Sequence, residues 1–200
     1  ASDNSDSSLQ GVAIEDSTQH KEIFDHAQKV APLIDHQKLD ALRSKRAATP
    51  RLRKASHWLE VARRDGFDLN EVLDKANEIN EAGDKERVSV QTSFLIRNNT
   101  ILQRLGCLDE NGMAKLRKGR APTITKGPYA GEIVTGDHII PRSVCPELDN
   151  KLYNLEFMPL TINQRKSAKV GQRQVALAKE WNQKGLLSDA GLKAVMNQSD

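Results

Sequence analysis

Asp137 and His138 are adjacent, and Asn163 and Lys166 follow within thirty residues. An aspartate is a hard oxygen ligand, and the imidazole beside it titrates near neutrality. Asn163 and Lys166 are three apart on a candidate helix, so they share one face. Together these residues offer oxygen donors, a base and a fixed positive charge. Hydrolysis of a phosphodiester needs an activated water, a metal on the phosphate oxygens and positive charge for the transition state. The same Asp-His pair could also be structural, with His138 doing no more than hydrogen-bonding a loop.

The elements that must position these residues are legible in outline. On an extended strand, neighbours point to opposite faces, so Asp137 and His138 reach one site only if a bend or bulge re-aims one of them. With Pro141 three residues on, distorted geometry is expected at the pair. After Gly119 the texture changes: Pro122, Gly127, Pro128, Gly131 and Gly136 punctuate β-prone pieces at 123–125 and 133–135. A second strand is expected over 154–158. Thr161 can then cap a helix beginning near Ile162. The order is strand, loop, strand, helix.

These residues resemble the HNH endonucleases of the His-Me finger group. That signature is Asp-His-Ile-hydrophobic-Pro, a central Asn before a second strand, and a final His or Asn on a short helix. Here it reads Asp137, His138, Ile139, Ile140 and Pro141, then Asn154, then Asn163. The last position is Asn, an H-N-N variant that looks like the nuclease domain of RNA-guided DNA-cleaving proteins, which also carries a lysine where Lys166 stands. The resemblance covers residues 133–166, a sixth of the chain. It implies that His138 is the general base, that Asp137 and Asn163 hold the metal, and that Asn154 pins the loop orienting the histidine. Lys166, Arg142 and Arg165 are then expected phosphate contacts or solvated charges. Many family members carry a Cys-x-x-Cys pair for a structural zinc before the Asp-His element. Residues 121–135 contain no cysteine, so no structural zinc is expected and packing must hold the finger. Two oxygen ligands suit Mg²⁺ or Mn²⁺, whereas zinc favours nitrogen and sulfur.

The rest of the 200-residue chain reads as mainly helical. Asp68 and Glu71 have the spacing of a capping box, with Leu69, Val72, Leu73, Ala76 and Ile79 at helical intervals behind them. Phe94, Leu95, Ile101, Leu102 and Leu105 repeat the pattern, and Gly106 is a natural stop. A further helix is expected from Lys169 to Lys184, ended by Gly185, and Ser188 caps a last one carrying Leu192 and Val195. His20, His26, His36 and His57 share no metal-ligand spacing and read as surface or capping residues. Cys107 and Cys145 read as small buried hydrophobes, with a bridge or a ligand role as the alternatives.

Net charge is +3, but its distribution is uneven. Residues 1–40 hold eight acids against three bases, while residues 111–175 hold eleven bases against five acids. Residues 42–54 contain six bases and no acid, either a solvated helix face or a DNA-backbone patch. Lys115, Arg117, Lys118 and Arg120 form a basic run beside the finger and are expected to bind nucleic acid. No apolar run is long enough to span a membrane. The chain begins at Ala1 rather than Met, as expected of a processed, tagged or excised product, which leaves cytoplasmic and exported settings both open.

The resulting expectation is an α+β fold. A disordered leader occupies 1–17, a helical region 18–118, a ββα-metal finger 119–168, and C-terminal helices packing on the finger 169–200. The function expected is metal-dependent cleavage of DNA, with RNA as a second substrate class. The alternatives are a non-catalytic nucleic-acid-binding module with a relic finger, and a helical structural protein with a chance motif.

Overall fold

Helices form where apolar residues recur at three- and four-residue spacing behind an acceptor side chain. The computed structural model describes the backbone from Ser7 to Ser199 and side chains from Thr18 to Ser199. Its first part comprises α1 (Ser7–Ile34), α2 (His36–Asp40), α3 (Thr49–Arg64), α4 (Leu69–Ile79), α5 (Lys85–Arg104) and α6 (Glu110–Arg117). Asp68 accepts from the Asn70 and Glu71 amides at 2.8 and 3.3 Å, forming the expected cap of α4. Asp35, Asp84 and Asp109 cap α2, α5 and α6 in the same way. Gly106, at φ +68°, takes the left-handed conformation that ends α5.

The second part contains β1 (Val134–His138), β2 (Leu155–Pro159), α7 (Leu160–Lys166), α8 (Gln172–Gln183) and α9 (Asp189–Gln198). The two strands pair antiparallel, with Asp137 opposite Glu156 and His138 opposite Leu155. The whole is a mainly helical α+β fold with one two-stranded sheet among the described residues. No described helix is long and apolar enough to cross a membrane.

Two apolar cores hold these parts. The first joins Val30, Leu52, Leu59, Leu73 and Leu102 of the helices to Val134, Leu155 and Phe157 of the strands. The second gathers Ile140, Cys145, Leu148 and Tyr153 of the loop between the strands under Trp181 and Val195 of α8 and α9. The Trp181 ring lies 5.0 Å from that of Tyr153. Helix α5 also closes the free edge of β2. Asn98 accepts from the Phe157 amide at 2.9 Å and donates to the Leu155 carbonyl at 3.0 Å, standing in for a third strand.

Several expectations are corrected. Residues 1–6 lie outside the described residues, but 7–17 are helical backbone rather than a disordered leader. Extending a helix costs little once its packed part has nucleated it, and no proline interrupts this stretch. The piece at 123–125 makes only a single bridge, Thr123 to Ile133, while the first strand runs on through the Asp-His pair. Helix α7 starts at Leu160, and Thr161 does not cap it; its amide instead donates to Glu132 Oε1 at 2.9 Å. Helix α8 begins at Gln172 because Val170 bridges Ser199. His57 is buried rather than superficial, its ring edge-on to Trp58.

Candidate functional site

The site is built at the C-terminal end of β1. The strand pairs regularly through His138 with no bulge, contrary to the expected distortion, so Asp137 and His138 leave on opposite faces. Thr135 and Asp137 face α7. There Asn163 Nδ2 donates to Thr135 Oγ1 at 3.0 Å, and Lys166 Nζ lies 2.8 Å from Asp137 Oδ2. Helix α7 thus runs alongside β1, one turn of helix matching two residues of strand. Lys166 also donates to the carbonyls of His138 and Ile139, at 2.6 and 3.3 Å, which ties the end of the helix to the end of the strand.

Glycine is required at 136. A Cβ there would come within 2.9 Å of Thr49 Cγ2, so its absence lets the first turn of α3 lie against β1.

His138 points the other way and is 7 % exposed. Its Nε2 is 2.9 Å from the Asp149 carbonyl oxygen and also 2.9 Å from Asp149 Oδ1. The carbonyl bond has the better geometry, since Oδ1 makes no directed hydrogen bond. A carbonyl can only accept, so Nε2 carries the proton of the neutral ring and the lone pair lies on Nδ1. Nδ1 has no hydrogen-bond partner among the described residues. This is the tautomer a general base requires.

Asn154 is fully buried and bridges the loop from both ends of its amide. Oδ1 accepts from the Ile140 amide at 2.8 Å, and Nδ2 donates to the Ile140 and Leu148 carbonyls at 3.0 and 3.4 Å. The backbone adds the Ile139 amide to the Asn154 carbonyl at 2.9 Å. The loop from Ile139 to Leu148, and with it Asp149, is thereby fixed relative to His138.

Asp149 is the residue the sequence reading missed. Beyond its carbonyl bond to His138, its Oδ2 accepts from Arg142 Nε at 3.0 Å and from the Arg46 amide at 3.3 Å. Only its place five residues before the central Asn could have drawn notice. Glu156 and its partners were also missed. This buried carboxylate, opposite Asp137 across the sheet, is bound by Arg97 at 2.7 Å and by Arg173 at 2.9 and 2.6 Å. Burial alone would raise its pKa, but the hydrogen bonds from Arg173 and Arg97 outweigh this and lower it.

Arg165 is exposed on α7. The basic run on and after α6 packs beside α3 and the segment that precedes β1. Lys115 donates to Thr123 Oγ1 at 3.2 Å, Arg117 lies over the Trp58 ring at 5.3 Å, and Lys118 and Arg120 are exposed. Gly119 connects the run to α3, accepting from Arg53 at 3.3 Å.

No group of three His, Cys, Asp or Glu side chains among the described residues is arranged to hold a metal ion. Cys107 and Cys145 are separate, free and buried; burial and a nearby carboxylate push their thiols up to about 12 and about 11. The oxygen donors at β1 and α7 are Asp137 and Asn163. With Asn163 Nδ2 committed to Thr135, its Oδ1 is left without a hydrogen-bond partner among the described residues. A carboxylate and a free amide oxygen form a donor set that Mg²⁺ accepts while keeping several waters.

No protein-family model, curated protein or solved structure matches this chain.

Proposed function

We propose that the protein is an HNH-type endonuclease of the H-N-N variant, hydrolysing phosphodiester bonds of DNA with a divalent metal. One observation carries the reading. A single strand end presents Thr135 and Asp137 to the α7 residues Asn163 and Lys166 on one face, and His138 with a free Nδ1 on the other. In-line displacement places the attacking water and the leaving oxygen on opposite sides of phosphorus. Asp137 and His138 are the last two residues of β1, so a phosphate seated across the end of the strand can meet the metal ligand from one side and the base from the other.

In this mechanism His138 Nδ1 takes the proton of the attacking water, while the Asp149 carbonyl holds the ring through Nε2. Asp137 and Asn163 would hold Mg²⁺ or Mn²⁺, which supplies Lewis-acid polarisation of the phosphate and neutralises the leaving oxygen. Lys166 adds fixed positive charge beside Asp137 and orients it. Arg142, held by Asp149, contacts a non-bridging or neighbouring phosphate oxygen. Asn154 takes no proton and keeps the loop in place.

The test is plasmid cleavage with Mg²⁺ and with excess EDTA, on wild type and His138→Ala. General-base catalysis contributes roughly a hundred- to ten-thousand-fold, so the variant should lose about that much rate. Its DNA affinity, which rests on phosphate contacts, should stay near wild type. Cleavage at the wild-type rate by His138→Ala, or in excess EDTA, would refute the mechanism. DNA binding without any cleavage would favour the relic module, and an RNA arm decides the second substrate class.

A further inference from the structure

The basic segment at 42–54 is not explained by the fold. Arg43, Lys45 and Arg46 are exposed, and Lys45 and Arg46 make no side-chain hydrogen bond or ion pair among the described residues. Arg43 reaches only the Asp40 carbonyl, at 3.3 Å. Six like charges within thirteen residues repel one another, so the clustering costs stability unless something neutralises it. No acid in the segment does.

The segment is nonetheless fastened to the loop that holds His138. The Arg46 amide donates to Asp149 Oδ2 at 3.3 Å, the Ala48 amide to Asn150 Oδ1 at 3.2 Å, and Asn150 Nδ2 to the Ser44 carbonyl at 3.3 Å. Arg46 adopts φ +57°, a left-handed conformation that a bulky side chain rarely takes and that its surroundings must enforce. Thr49, within the segment, lies against Gly136 of β1. The same Asp149 carboxylate that accepts the Arg46 amide also holds the Arg142 side chain. Unpaired cations on a strained turn, locked to the residue that orients the candidate base, place positive charge at a fixed distance from the chemistry.

We propose that residues 43–46, with Arg142, form a platform for the phosphate backbone of the DNA substrate, on the His138 side of the cleavage site. The platform deepens the nuclease reading above and rests on it. Asp149 is then a positioning residue with two duties, orienting His138 and setting the register between the base and the bound backbone.

The test separates binding from cleavage. Anisotropy of a fluorescent random-sequence DNA duplex, titrated in EDTA across a range of KCl, gives the salt slope of binding without turnover. Each phosphate neutralised contributes roughly 0.9 to that slope. Lys45→Gln with Arg46→Gln should therefore lower the slope by roughly two. Lys179→Gln with Lys193→Gln, which removes equal charge from exposed positions on α8 and α9, should leave it unchanged. With Mg²⁺, the first pair should raise the DNA concentration needed for half-maximal cleavage while the saturated rate stays at wild type. An unchanged slope in the first pair, or equal losses in both pairs, would overturn the platform while leaving the nuclease reading intact. Absence of any salt-dependent DNA binding would overturn both.

Discussion

Replacing Asn154 with alanine removes three hydrogen bonds from a side chain with no exposed surface. The partners are backbone groups that cannot move to water. Ile140 is fully buried, and both its amide and its carbonyl lose a partner. Leaving a buried polar group unpaired costs about 1–3 kcal/mol, so two such groups bring the loss to about 2–6 kcal/mol. The Leu148 carbonyl adds little, because it also accepts from the Lys151 amide at 3.3 Å. Against a typical total stability of about 5–15 kcal/mol the variant should fold, but weakly. Urea unfolding followed by the fluorescence of Trp58 and Trp181 measures the loss, and Trp181 packs on Tyr153 in the same loop. Cleavage measured where the variant is fully folded should fall further than stability alone explains, because the Asp149 carbonyl that holds His138 rides on this loop. Asn154→Asp should not rescue it: a carboxylate can accept from the Ile140 amide but cannot donate to the Ile140 carbonyl. A stability loss below about 1 kcal/mol, the size of one ordinary exposed hydrogen bond, would show that Asn154 does not pin the loop.

Arg97→Gln or Arg173→Gln alone should cost about 1 kcal/mol, since both side chains are roughly half exposed and the other arginine remains on Glu156. Losing both leaves a buried carboxylate uncompensated and should cost about 3–5 kcal/mol in chemical denaturation. Because the folded pKa of Glu156 lies below its ordinary value of 4.5, its contribution is present above that pH and is lost as pH falls through the lower folded value. His36 acts in a different window: burial and the neighbouring Arg87 lower its pKa to about 4, so the folded state resists a proton that the unfolded chain accepts from about pH 6.5 downward. Thermal stability should therefore decline as pH falls from 6.5 towards 4, and His36→Gln should remove part of that decline. For the metal, the proposed mechanism expects EDTA-stripped protein to recover cleavage with Mg²⁺ or Mn²⁺ and little with Zn²⁺, and Asn163→His to shift preference toward Co²⁺, Ni²⁺ or Zn²⁺. Best recovery of the wild type with Zn²⁺ would contradict the assigned ligands.

What the sequence determined by itself was local. Acceptors such as Asp68 and Ser188, stop residues such as Gly106 and Gly185, and apolar spacing placed most helices, because capping and amphipathic periodicity act within a few residues. The strand–loop–strand–helix order around Asp137, Asn154 and Asn163 was legible for the same reason. Tertiary structure decided what crosses the chain. Burial of Phe157 and Leu155 on the helices, and of Ile140 and Tyr153 under Trp181, fixed the faces of a two-stranded sheet too small to specify itself. That packing kept β1 regular through His138, where a bulge was expected, and so sent Asp137 and His138 to opposite sides. It also brought Arg46 to Asp149 across 103 residues and set Arg97 and Arg173 on Glu156. Contacts of that range leave no periodic trace in a single sequence, because either partner alone is an ordinary charged residue.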